Sequence, residues 1–519
     1  EPFLSNPEKL AKIDWRFLCQ PENEEGFAHD VTGLSTTPNV TPQWPLPTGS
    51  THPGANPFMT EALFLTCRVL HLSYAPIVRD FKQLSRNMGH YRQEIADGTP
   101  RGQRVLLEYF ALQTNILDEK LVVLVVDYCC AMCSVLLKAL MEAGGGLDKE
   151  PTDTIIAAKH FTPAQAEILS AIPEYLVADI FEMLTFVADY RGDKLDTALM
   201  SDVLDLIIFF LRRPTSVLSP HLRATFGLTL FYGLLPGSAR DGANAKYSET
   251  HATFKDGRQC LLIDSNLHAK RYLAPTLLLL YGDVERTGTY EKIDHRRKLG
   301  KVLKYLWSLT SHRDAFRDIA NAADGNSGDG TVMDTDIPEE GVGMVGTSNA
   351  EAWDSNYFIR FANGIMNETN LQVNEALTNL ALVREIQELQ KTAHWATMSE
   401  EEHKEKEEKL SEAESHARQS AGLCMDTIHM VNFLTTDEAI TRPFLTDEIL
   451  PRFTSMLLNM VNNLTGKKSK DLKVDNTEKY DFHPKDMLRE VCEIILHVCI
   501  YPEFVEAVVK DGYYMNGAP

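Results

Sequence analysis

Apolar residues return every three or four positions along most of the 519-residue chain, and that spacing predicts α-helices nearly throughout. Leu176, Ile180, Leu184 and Val187 make one such stripe. Residues 451–464 make another, with Phe453, Met456, Met460 and Leu464 on one face, flanked by Leu457 and Val461. Pro451 suits the first turn of that helix, where a missing N–H costs nothing. Pro484 is predicted to open a helix whose buried face is Leu488, Val491, Cys492, Ile495 and Cys499, with His497 pointing elsewhere. Pro502 opens a last helix that Gly512 is placed to cap. No comparable alternation of period two appears, so the expected class is all-α.

Three stretches interrupt the pattern. Residues 37–57, "TPNVTPQWPLPTGSTHPGANP", hold six prolines and read as an extended connector. Residues 318–359 contain many glycines and acids and not one Lys or Arg, which predicts a flexible loop. In "SEEEHKEKEEKLSEAESHARQ" at 399–419, Glu402 with Lys406 and Glu405 with Lys409 are spaced as i,i+4 pairs. With the preceding helix bearing Leu377, Leu380 and Leu389, that stretch predicts a long antiparallel hairpin projecting into solvent.

These breaks divide the chain into 1–58 with the connector, a helical-repeat block 59–317, the acidic loop 318–352, long helices over 353–436, a helical block 437–512 and a tail 513–519. Short helices joined by breaker-marked turns over this length suggest an elongated superhelix, each helix pair packing on its neighbours. Tetratricopeptide and ankyrin signatures are missing, which leaves armadillo-like or HEAT-like repeats.

Composition narrows the class further. A formal charge of −22 argues against nucleic-acid binding, which needs clustered Lys and Arg. Nine cysteines scattered through a long chain do not form a disulfide framework and point to reduced thiols, hence to cytoplasm or nucleus. The longest apolar run, "LVVLVVDYCCAMCSVLLKAL" at 121–140, carries Asp127 and Lys138 and reads as a buried helix rather than a membrane span.

Little catalytic chemistry is legible. "TGKKS" at 465–469 fails as a phosphate-binding loop, because Val461 and Lys468 stand where Gly and Ser or Thr are required. Cys129, Cys130 and Cys133 lie in the apolar helix without a complementary knuckle for zinc and read as small core residues. No nucleophile elbow, zinc-protease helix or dinucleotide turn is found. Catalytic, metal and cofactor sites are therefore all expected to be none.

Five blocks then point to a family. "IPEYLVADIFEMLTFV" (172–187), "YLAPTLLLLYGDVERTG" (272–288), "FIRFANGIMNETNLQVNEAL" (358–377), "RPFLTDEILPRF" (442–453) and "DLKVDNTEKYDFHPKDML" (471–488) occur in that order. Together they resemble the core of the ubiquitin conjugation factors of the E-four class, ubiquitin-chain elongation factors that end in a U-box. The resemblance runs from the first residues to about Gly512.

It implies a superhelical scaffold that holds a U-box, through which a ubiquitin-conjugating enzyme is recruited to extend chains on already ubiquitinated substrates. It also implies a valosin-containing-type AAA ATPase as partner, delivery to the proteasome, and shuttle proteins with ubiquitin-like domains that dock on an N-terminal region. The chain stops at "DGYYMNGAP", so the expectation is a core lacking both U-box and N-terminal region, and inactive by itself.

Within the family-like stretch "LTGKKSKDLKVDNTEKYDFHPKDML" (464–488), two roles compete. Leu472, Val474, Tyr480 and Phe482 are candidate anchors of a structured loop, and Lys467, Lys468, Lys470 and Lys473 a candidate docking patch for an acidic partner tail. Two other function classes stay open: an importin-like transport scaffold for basic cargo, and a transferase carrying ubiquitin on a cysteine, with Cys260 the first candidate.

Overall fold

The computed structural model describes residues 13, 57–145, 152–214, 217, 219–236, 254–283, 289–323, 356–466, 477–480 and 482–511. Among them every regular element is a helix and no β-strand occurs, as the periodicity predicts. The helices gather into two compact units that divide between Thr276 and Leu277.

The principal helices of the first unit are α1 (Pro57–Leu72), α2 (Tyr74–Asn87), α3 (Pro100–Ile116), α4 (Glu119–Ala143), α5 (Glu174–Tyr190), α6 (Thr197–Leu211) and α7 (Pro220–Leu234). Their starts follow from side chains that satisfy orphan N–H groups. Thr99, Asp118, Asp196 and Ser219 each accept from the first turn of the helix that follows. The apolar run at 121–140 is α4, a core helix with Val122, Val125, Val126, Cys129, Cys130 and Cys133 all buried. The stripe Leu176, Ile180, Leu184 and Val187 is buried on α5. There Phe181 meets Phe226 of α7 edge-on at 4.7 Å, and Thr185 shares a 2.8 Å hydrogen bond with Thr229.

Two adjacent arginines, Arg212 and Arg213, are buried at the end of α6. Their guanidinium groups donate to main-chain oxygens: Arg213 to Phe209 and Ile155, Arg212 to Ala157. Those carbonyls belong to the C-terminal ends of α6 and of the short helix Thr152–Ala157, where the helix dipole favours a cation. Burial, with Arg212 alongside, pulls the Arg213 guanidinium down to about 9.

The second unit holds α8 (Thr289–Ser308), α9 (Thr310–Ala323), α10 (Asn356–Gln390), α11 (Glu400–Leu434), α12 (Leu450–Thr465), α13 (Pro484–Val498) and α14 (Pro502–Lys510). Helices α10 and α11, each 35 residues and about 52 Å long, are the predicted hairpin. Burial on α11 begins at Ala413, so its charged first half is solvated. Lys409 pairs with Glu405 at 2.6 Å, whereas Glu402 turns back to complete a capping box with Ser399.

The boundary set by charge at residue 318 is wrong by most of two turns. Helix α9 continues to Ala323, because Ile319 and Ala320 extend the buried stripe of Ala315 and Phe316. Helix α10 likewise begins at Asn356, inside the stretch read as loop from its lack of Lys and Arg; the acidic residues between the two helices lie outside the described ones.

A buried ion cluster joins α8 to α10. Glu368 is fully buried against Arg296, itself buried, and Lys292 Nζ lies 3.1 Å from its carboxylate. Gln372 Nε2 donates to the same group at 2.7 Å, and Arg296 Nε donates to the Tyr281 carbonyl. Beside this cluster Gly282 and Gly364 cross so closely that a Cβ on Gly364 would stand 3.3 Å from the Gly282 Cα. Glu368→Ala, leaving the buried Arg296 and the half-buried Lys292 uncompensated, is expected to lower the unfolding free energy by about 3–5 kcal/mol. Urea denaturation checks this, and the double variant Arg296→Met/Glu368→Leu should recover most of the loss; strict additivity of the two changes would show that the pair is not coupled.

Candidate functional site

The stretch singled out in the sequence enters the described structure at its two ends. Lys467, Lys468, Lys470, Lys473, Leu472 and Val474 lie outside the described residues. Tyr480 and Phe482 are buried, each at 1% exposure. Tyr480 closes a short 3-10 turn, Thr477–Tyr480, that packs on α11. Its hydroxyl accepts from Gln387 Nε2 of α10 and donates to Glu414 Oε1 of α11, both at 3.0 Å. Lys479 adds a 2.6 Å ion pair to Glu414. One side chain thus ties the segment to both arms of the hairpin. Gln387 and Glu414 are far from it in sequence, and no local signal marks them as its partners.

A second seam runs between α11 and α13. His429 Nδ1 lies 3.0 Å from Glu490, Asn432 Nδ2 donates to Glu493 at 2.7 Å, and Thr435 Oγ1 lies 3.0 Å from His497 Nδ1. Residue numbers rise together on both sides, so the two helices run parallel. This seam corrects the sequence reading of α13: of the expected face Leu488, Val491, Cys492, Ile495 and Cys499 only Val491 is buried, and the buried side is Met487, Glu490, Val491, Ile494 and Val498. Apolar residues occupy more than half the circumference of this helix, so periodicity alone permits either side. The polar rungs decide it by turning Glu490 and His497 toward α11.

The rotation bears on the thiols. Cys67, Cys129, Cys130, Cys133 and Cys424 are buried, while Cys492 and Cys499, expected in the core, are exposed. Burial pushes the thiols of Cys67, Cys130 and Cys424 up to about 12, and those of Cys129 and Cys133 well above their ordinary value. None of these five would supply a thiolate near neutral pH. Cys260 lies in the short helix Gln259–Ser265, with its side chain outside the described residues. Among the described residues no group of three or more His, Cys, Asp or Glu side chains could hold a metal ion. The seams offer register and rigidity, not a nucleophile beside a base.

Comparison with known proteins gives the family. The family model described as ubiquitin elongating factor core matches residues 1–517. A probable ubiquitin conjugation factor E4 from Arabidopsis thaliana is 25% identical over 88% of this chain, and ubiquitin conjugation factor E4 A from Bos taurus 24% identical over 88%. Ubiquitin conjugation factor E4 from Schizosaccharomyces pombe is 24% identical over 68% of the chain. The matched regions make up 41%, 40% and 30% of those relatives, so the chain spans between about a third and two fifths of their length. With a match along essentially its whole length, the chain belongs to the ubiquitin elongating factor core family.

Proposed function

We propose that this chain is the core scaffold of a ubiquitin-chain elongation factor, positioning a U-box and partner proteins while ubiquitin is added to already ubiquitinated substrates. The match of the core family over residues 1–517 carries the reading. The buried thiols and the register-fixing seams support it, because a scaffold needs fixed helices and no nucleophile of its own. In this reading a ubiquitin-conjugating enzyme meets the U-box, and a valosin-containing-type AAA ATPase and ubiquitin-like shuttle proteins meet other parts of the assembly. It acts in cytoplasm and nucleus and feeds proteasomal degradation. Importin-like transport and thioester chemistry are not favoured by the family match.

The decisive assay compares residues 1–519 with a version continuing into a U-box, using activating enzyme, conjugating enzyme and a ubiquitin-fused substrate. Chain growth is expected only with the U-box. Growth with residues 1–519 alone would overturn the scaffold reading. Thiol labelling of the native chain supplies a second check: Cys492 and Cys499 should react at once, and Cys67, Cys129, Cys130, Cys133 and Cys424 only on unfolding. Rapid labelling of any of these five would reopen the cysteine mechanism.

The segment ending in Tyr480 and Phe482 is assigned a structural part in this scaffold. Phe482→Ala should cost roughly 3–5 kcal/mol through lost burial. Tyr480→Phe, which keeps the ring and loses only the links to Gln387 and Glu414, should cost about 0.5–1.5 kcal/mol. Thermal melting measures both, and an unchanged midpoint in Phe482→Ala would remove the anchoring role.

A further inference from the structure

Helix α10 carries Asn363, Asn367, Asn370 and Asn374 at intervals of four, three and four residues, which sets them in one narrow stripe along the helix. Arg452 of α12 donates through Nη1 to the Asn363 amide oxygen and through Nη2 to that of Asn367, the latter at 2.6 Å. Asn459 Nδ2 donates to the Asn370 oxygen at 3.0 Å, and its own oxygen accepts from Asn463 Nδ2 at 3.2 Å. Residue numbers rise together across this contact, so α12 runs parallel to α10. The bonds also fix which way the amides face. A guanidinium has donors only, so Asn363 and Asn367 must turn their oxygens to α12. The Asn459 oxygen is engaged by Asn463, so Asn459 offers Asn370 its NH2 and takes the Asn370 oxygen as acceptor. Three amides of α10 thus turn their NH2 groups away from α12, and among the described residues no acceptor meets these groups. Asn367 and Asn374 are exposed, and Asn363 and Asn370 are half-buried.

We propose that this amide stripe is a docking surface for an extended polypeptide segment of a partner protein, held through its main-chain carbonyl oxygens. The donors match that ligand in kind and in spacing. A neutral NH2 suits a neutral carbonyl, whereas an anion calls for cations, and the cation of the stripe, Arg452, is already engaged with Asn363 and Asn367. Four residues of helix rise about 6 Å, close to the roughly 6.6 Å between alternate carbonyls of an extended chain. Asn363 with Asn367, and Asn370 with Asn374, are therefore each spaced to meet two carbonyls on one edge of the same segment. The whole stripe spans about 16 Å, the reach of about five extended residues. Leu371, 47% exposed beside Asn370, adds an apolar contact for a side chain of the segment. Main-chain bonding of this kind supplies affinity with little dependence on sequence. It needs no U-box, so it stands whether or not the scaffold assignment does.

The probe is an uncharged decapeptide of Ser, Thr and Val bearing an uncharged fluorophore, titrated with residues 1–519 up to about 500 μM and followed by fluorescence anisotropy. A few hydrogen bonds of modest net strength give an expected Kd on the order of 100 μM. Shuffling the peptide's order should leave it unchanged, and so should a rise in salt. Asn367→Asp/Asn374→Asp keeps the oxygen that faces Arg452 and replaces two donors by carboxylates that repel carbonyl oxygens. It should weaken binding at least about tenfold with melting unchanged. Asn374→Asp alone removes no hydrogen bond within the described residues, so it carries the test if the double variant melts lower, with a loss of about threefold expected. Gln390→Glu/Ala393→Glu places the same added charge at the exposed far end of the hairpin and should bind as the native chain does. No binding up to the highest concentration overturns the proposal, as does binding that the Asn→Asp variants leave intact. Binding confined to an Asp- and Glu-rich peptide and lost in salt overturns it too.

Discussion

Glu368 is buried with Arg296 and Lys292 around it, and the second unit is arranged by what that carboxylate needs. A buried carboxylate without cations would be far too costly, so α8 is held in one register against α10. One residue on, Thr369 donates to Thr427 at 3.1 Å and links α10 to α11. Arg297, the neighbour of Arg296, bonds Asp426 at 3.0 Å, so α8 grips both arms of the hairpin near its base. From the following turns of α11, His429, Asn432 and Thr435 reach α13. The contacts form a connected polar spine through the unit, with apolar packing filling the space on either side.

This spine is also the part least legible in the sequence. The helices themselves are announced by periodicity, prolines and capping residues, and the stripes on α5 and α12 fall where the three-four spacing puts them. A Glu or Arg in a helix reads by default as solvated, and nothing near Glu368 identifies Arg296 as its partner seventy-two positions earlier. Arg212 and Arg213 defeat the same default, since their partners are carbonyls at helix ends that only the folded chain brings together. Helix α13 fails for a different reason: with apolar residues on most of its circumference, the deciding information is the position of its few polar ones, Glu490 and His497.

The candidate site shows the same division. That Tyr480 and Phe482 are aromatic residues in a breaker-rich, charged stretch was readable, and it marked them as anchors. What Tyr480 grips, Gln387 and Glu414 on opposite arms of the hairpin, depends on where α10 and α11 lie side by side. Chemistry carried by a family resemblance and chemistry carried by local spacing therefore needed each other here, because the first named the segment and the second could supply only its anchoring side chains.

Polar seams suit a scaffold for a physical reason. Two apolar helix faces can slide by a turn and still bury similar area, so packing alone sets register weakly. The three rungs between α11 and α13 cannot slide: a one-turn shift of α13 would bring Glu493 and His497 away from Asn432 and Thr435 and leave Glu490 buried without His429. Each rung is modest in net energy, because its groups would otherwise bond water. Leaving Glu490 buried and unpaired is costly, and that asymmetry disfavours the alternative registers. The C-terminal helices are thereby held in a fixed relation to the long hairpin.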